Sequence, residues 1–66
     1  MHVMVNGEQI AAGPVLSLAA AVATLTTVRA GVAAAVNGEV VRQADWESTM
    51  LADGDEVEVL TAVQGG

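Results

Sequence analysis

Two copies of one tetrapeptide set the limits on this chain. Val5-Asn6-Gly7-Glu8 recurs as Val36-Asn37-Gly38-Glu39. Asn-Gly between apolar, β-branched neighbours is the strongest short-range hairpin signal, because a type I′ turn needs positive φ at both central residues. Each copy therefore predicts an antiparallel strand pair: residues 1–5 with 8–11, and 32–36 with 39–41. Two copies do not make a repeat architecture. They are independent uses of one turn chemistry.

The helical pattern lies between the hairpins. Ala12-Gly13-Pro14 breaks the first one, and Val15, Leu18, Val22 and Leu25 then recur at spacings of three and four, which gives one apolar stripe. Pro14 suits a helix start and Ser17 is an N-cap candidate. Ala19, Ala20, Ala21 and Ala23 favour helix but add little bulk, so a slender helix lying on a sheet is expected. The β-branched run Thr24, Thr26, Thr27 and Val28 weakens the helix, and Gly31 can end the segment.

After the second hairpin, residues 43–50 are polar and irregular and hold the single aromatic residue, Trp46. It is expected to cover one end of the core with its indole N–H paired. A ligand-stacking role lacks an aromatic partner and a basic groove. Asp53-Gly54-Asp55 reads as a turn, and residues 56–63 alternate as a last strand. Val57, Val59, Thr61 and Val63 share the core face, while Glu56, Glu58, Leu60 and Ala62 share the outer one. The order is strand, strand, helix, strand, short strand, loop, strand. One helix packed across one mixed sheet of four to five strands satisfies it, with the first and last strands parallel in the middle. Such an order is similar to that of the α+β, β-grasp (ubiquitin-like) folds, a likeness of fold and not a result of periodicity. It would take up residues 1–63 and leave residues 64–66 as a flexible tail.

Composition narrows what such a domain does. Sixty-six residues make one domain near the lower size limit for a self-sufficient core. Without Cys there is no disulfide, thiolate metal site or thiol nucleophile. Eight acidic residues against two Arg leave a net charge of −6, which disfavours nucleic acid and favours basic protein partners. The longest apolar-rich run, 15–25, is too short to span a bilayer, and Met1-His2-Val3 is not a signal-peptide start. No membrane partner and a cytoplasmic location are expected.

The last residues, Gln64-Gly65-Gly66, add a chemical feature. A Gly-Gly tail can be extended and thin enough for a gap that excludes side chains. Its α-carboxylate is a poor electrophile until it is activated, for example as an acyl-adenylate. The tail therefore reads as a handle for another enzyme's active site. Terminal Gly-Gly arises by chance in roughly 0.5% of chains, and chain ends commonly fray, so it carries weight only if the rest fits a carrier. Nothing in the chain supports catalysis. His2 has no partner in sequence. Asp53 and Asp55 resemble a calcium loop only in part, lacking its closing Glu. Ser17 does not follow the Asp that precedes the modified serine of acyl carriers. On the outer face of the last strand, Leu60 and Ala62 follow the acidic Glu56 and Glu58. With Met4 beside Leu60 they would form a small apolar docking patch with an acidic rim.

Taken together, the residues resemble the small ubiquitin-like sulfur carriers, and among them the ThiS family of thiamine biosynthesis. The likeness runs through Val3-Met4-Val5-Asn6-Gly7-Glu8, the Ala-Ala-Gly before the helix, Val32 to Gly38, Val40-Val41 ahead of Trp46, Leu51 to Leu60, and the closing Ala62-Val63-Gln64-Gly65-Gly66. The Asp-Gly-Asp turn, alternating strand and terminal Gly-Gly in that order are its specific part. The resemblance implies a carrier and not an enzyme. An E1-like adenylating enzyme, using ATP and magnesium that this chain does not itself bind, would activate the carboxylate of Gly66. A persulfide sulfur donor would convert it to a thiocarboxylate, and thiazole synthase would take the sulfur. Gly66 would carry the cargo, Gly65 would give clearance, and Leu60, Ala62, Met4 and Glu58 would dock. The chain departs from the family pattern at Arg42-Gln43, where Pro-Arg is frequent. The molybdopterin-synthase small subunit also ends in Gly-Gly but usually carries a Pro-Pro pair where this chain has Thr61-Ala62-Val63-Gln64. Ubiquitin-like protein modifiers typically carry Arg before Gly-Gly. A plain β-grasp interaction module, with an incidental tail, is a further alternative.

Overall fold

The computed structural model describes residues 1–61. The chain forms β1 (His2–Val5), β2 (Glu8–Ala11), helix α1 (Leu18–Ala23), β3 (Val32–Val36), β4 (Glu39–Val41), a 3-10 turn (Gln43–Asp45) and β5 (Glu56–Thr61). The five strands make one mixed sheet in the order β2-β1-β5-β3-β4. β1 and β5 run parallel, and every other pairing is antiparallel. The last strand in sequence is thus the central strand in space, as the β-grasp reading expects.

Both Asn-Gly turns form as the sequence predicts. Asn6 and Asn37 each sit at φ 51°, followed by Gly7 at 81° and Gly38 at 84°. This right-handed-twist-compatible turn sets the register Val5↔Glu8 and Val36↔Glu39. Each Asn also does something the turn does not require. The Asn6 side chain bonds Val59, and that of Asn37 bonds Asp55 and Glu56, so the two turns grip β5 from opposite sides.

Helix α1 is shorter than its apolar stripe. It starts at Leu18 because Ser17 caps it, with Oγ accepting from Ala20 N at 3.1 Å. The other orphan donors of the first turn are met by the loop carrying Trp46: Leu18 N donates to Thr49 O at 2.8 Å and Ala19 N to Trp46 O at 3.1 Å. The helix ends at Ala23, where the Thr24 hydroxyl turns back onto Ala21 O. Leu18 and Val22 are buried, whereas Val15 is 71% and Leu25 49% exposed. The ends of the predicted stripe therefore fall outside the helix. Gly31 adopts positive φ at the entry to β3 rather than ending α1.

The core lies between α1 and one sheet face. Val3, Val5, Val57 and Val59 point inward from the two central parallel strands against Leu18, Ala21 and Val22. Trp46 is fully buried and closes one end, with its Nε1–H donating to Val41 O at 2.9 Å. The Arg29 guanidinium stands 5.5 Å from the ring centroid and pairs with Glu47 at 3.6 Å. Gln43 bonds the carbonyls of Arg29 and Val32, tying the long connection before β3 to the loop after β4. This is what the Arg42-Gln43 departure does here. Thr61, expected on the core face, is exposed. It lies opposite Val32 by register but at the end of the sheet, past the last β1 residue that pairs with β5. Among the described residues no helix is long and apolar enough to cross a membrane.

Candidate functional site

The outer face of the sheet carries no helix. Strand alternation and register assign its residues. Glu56, Glu58 and Leu60 point outward from β5, since Val57 and Val59 are buried. Opposite residues on neighbouring strands share a face, so Met4 joins Glu56, Ala35 joins Glu58 and Val40, and Ala33 joins Leu60. The face therefore divides along β5 into an acidic half near the two Asn-Gly turns and an apolar half toward residue 61.

Leu60 is 70% exposed and Val40 is 75% exposed. Between them lie Ala33 and Ala35, whose short side chains leave a shallow hollow of about 100 Å³, closed on one side by Glu58. A raised rim of Leu60 and Val40 around a floor of alanine methyls suits an apolar knob from a partner. Glu58 at the edge suits a basic residue beside that knob. The second hollow, about 270 Å³ and lined by Met4, Gly7, Gly38, Val57 and both glutamates, is more polar and lies over the first residues of β5. Neither Glu56 nor Glu58 enters a salt bridge among the described residues, whereas Arg29 and Arg42 are both paired, with Glu47 and Asp45. The outer face thus presents uncompensated negative charge.

The site residues read from sequence fare unequally. Leu60 and Glu58 sit together, as expected. Met4 does not lie beside Leu60. The parallel register sets it opposite Glu56, and Leu60 is four residues further on, roughly 13 Å along the strand at about 3.3 Å per residue. Pairing the strands was correct, but the offset between them was not readable from alternation. Ala33, Ala35 and Val40 were missed for the same reason, since only the antiparallel register of β3 with β5 and β4 brings them to Leu60. Ala62, Gly65 and Gly66 lie outside the described residues.

At the turn before β5, Asp53 Oδ1 accepts from His2 N at 2.7 Å, and Asp55 Oδ2 accepts from Ala52 N at 2.8 Å. The Ala52 backbone bond, followed by the Asn37 amide, holds the Asp55 carboxyl below the usual carboxylate range, against a smaller opposing effect of burial. Asp53-Gly54-Asp55 is therefore a turn closed on Ala52 by Asp55 and tied to His2 of β1 by Asp53 and Gly54, which fixes the start of β5, with Gly54 at φ 88°. Among the described residues no cluster of acidic or imidazole side chains is arranged to hold a metal.

A central C-terminal strand, one helix across the inner face and an open outer face beside an apolar hollow define a ubiquitin-like β-grasp domain. The crystal structure of the thiamine biosynthesis protein ThiS from Geobacter metallireducens matches it with a TM-score of 0.78 and 30% identity, covering 100% of both chains. The solution structure of a thiamine biosynthesis protein from the same organism gives a TM-score of 0.79 and 30% identity, covering 100% of this chain and 88% of that one. No curated protein sequence matches the chain. The ThiS family matches residues 3–66. The chain belongs to this family, the ubiquitin-like sulfur carriers of thiamine biosynthesis.

Proposed function

We propose that the carboxylate of Gly66 is the group that carries sulfur for thiazole formation. In the activating step one carboxylate oxygen attacks the α-phosphorus of ATP and pyrophosphate leaves, giving an acyl-adenylate. The terminal sulfur of a persulfide then attacks the acyl carbon and AMP leaves. A thiol then attacks the donor-side sulfur of the acyl disulfide, forming a new disulfide with the donor and releasing a proton, and the thiocarboxylate remains on Gly66. ATP and magnesium belong to the E1-like partner. This chain acts as co-substrate, first of that enzyme and then of thiazole synthase.

The observation that carries this reading is the position of β5. The strand leading toward Gly65-Gly66 is the central one, paired on both sides, anchored inward by Val57 and Val59, and bearing Leu60 and Glu58 outward beside the alanine hollow. A partner docked on Leu60, Val40 and Glu58 holds the chain within a few residues of the reacting carboxylate, which supplies the positional order that acyl activation needs. The family match extends to Gly66. Ala62 lies between Leu60 and the tail and is assigned to the same contact, Gly65 to clearance, and Met4 to the acidic half of the face.

The test is intact mass after incubation with the cognate activating enzyme, ATP and a persulfide source. Replacement of one oxygen by sulfur, localised to Gly66, is the expected result. No change with an enzyme shown to be active refutes the reading, and conjugates of higher mass would move the chain to the protein modifiers.

A further inference from the structure

Strand β1 turns away too early for the strand beside it. It pairs with β5 only at Met4↔Glu56 and Val5↔Val57, whereas β3 accompanies β5 from Val57 to Thr61. Beyond Val57 the β1 flank of β5 would be bare. The Asn6 side chain fills the next place. Its Oδ1 accepts from Val59 N at 2.7 Å and its Nδ2 donates to Val59 O at 3.1 Å. A primary amide carries the donor and acceptor of a peptide group, so it extends the ladder by one step after the backbone has left it.

Asn37 provides an internal comparison. It occupies the same tetrapeptide at the same φ of 51°. Its amide donates to Asp55 Oδ1 at 3.1 Å and accepts from Glu56 N at 3.0 Å. That grip is at the beginning of β5. The grip by Asn6 is at Val59, two residues before Thr61, on the side that leads to Gly66.

The geometry points to Asn6 as a positioning residue for the carrier chemistry: its amide holds the end of β5 in the sheet and so fixes the direction in which the chain departs toward the reacting carboxylate. This role rests on the carrier reading above. Docking does not depend on it, because Leu60 is held from the other side by Ala33 of β3.

Glycine tests it cleanly. Gly accepts positive φ without strain, so Asn6→Gly and Asn37→Gly remove each side chain and leave the turn favourable. Two readouts are taken on the full chain. In amide hydrogen exchange, Asn6→Gly is expected to deprotect Val59 N–H while the amides on the β3 side of β5 keep their protection. In steady-state adenylation by the activating enzyme, with the carrier varied, Asn6→Gly is expected to lower kcat about tenfold and leave KM within about twofold, since misplacement of a reacting group acts on turnover. Asn37→Gly is expected to leave both constants within about twofold. Asn6→Asp keeps the acceptor for Val59 N–H but loses the donor, and falls between wild type and Asn6→Gly. Unchanged Val59 protection in Asn6→Gly, or equal kcat in the two glycine variants, overturns the role. A wild-type chain that the active enzyme never adenylates overturns the carrier reading, on which the exchange measurement does not depend.

Discussion

Replacing Trp46 tests the account of the core most directly. The side chain is fully buried, its indole N–H bonds Val41 O at 2.9 Å, and its own carbonyl receives Ala19 N at 3.1 Å. Truncating a buried Trp to Ala costs about 3–5 kcal/mol through lost burial and the cavity left behind. The freed Val41 carbonyl adds about 1 kcal/mol, the low end for an orphaned acceptor because Val41 is only partly buried and water can reach it. At about 0.05–0.15 kcal/mol per residue, a domain of 66 residues has about 3–10 kcal/mol in total. Trp46→Ala is therefore expected to leave a large fraction unfolded at 25 °C. Trp46→Phe keeps most of the volume and loses the hydrogen bond, at a cost of about 1–2 kcal/mol, or a fall in Tm of about 4–16 °C in a domain this small. Urea denaturation followed by far-UV circular dichroism measures both, since fluorescence is lost with the indole. If Trp46→Ala lost less than about 1 kcal/mol, the residue would not be a core element, and a ligand-facing role would have to be reconsidered.

Other outcomes follow from the same geometry. Leu60→Asp is expected to weaken binding to the activating enzyme by about 2 kcal/mol or more, the range of a central apolar contact. Its Tm should stay near wild type because the side chain is exposed, and equal affinity by calorimetry would refute the docking hollow. Gly65→Val should fold normally and block adenylation, whereas unchanged adenylation kinetics would remove the clearance argument. Gly38→Ala meets no atom within 4 Å but sits at φ +84°, so it should cost about 1–2 kcal/mol through backbone strain alone, as read by urea denaturation. Asp55 has its carboxyl pKa lowered by the Ala52 and Asn37 bonds. Its stabilising contribution is therefore present above the ordinary Asp range and lost as pH falls through the depressed value. Asp55→Asn should lower stability at neutral pH and reduce the loss on acidification, and an unchanged pH–stability curve would refute that assignment.

Much of this molecule was legible along the chain because its signals are local. An Asn-Gly pair demands positive φ wherever it occurs, and both turns formed where the tetrapeptides lie. Alternation placed Val57 and Val59 inward and Glu58 and Leu60 outward, and Ser17 was readable as a cap. Periodicity overreached at the helix, where Val15 and Leu25 fit the stripe but fall outside it. A stripe records which residues would share a face, not where the backbone donors find partners. The loop carbonyls of Trp46 and Thr49 supply those partners to Ala19 and Leu18, across a long stretch of chain that includes β3 and β4.

The tertiary structure alone decided which outward residues meet. Strand offset is a property of two segments at once, so the placing of Met4 against Glu56, and of Ala33, Ala35 and Val40 around Leu60, had no signature in any one of them. The second use of Asn6 and Asn37 was hidden for the same reason. The sequence by itself determined that two tight turns and an acidic surplus exist, because φ preference and charge belong to single residues. Packing determined that those turns clamp the central strand and that its far end lies open beside an apolar hollow, because hydrogen-bond partners and surface patches belong to pairs of residues distant in the chain.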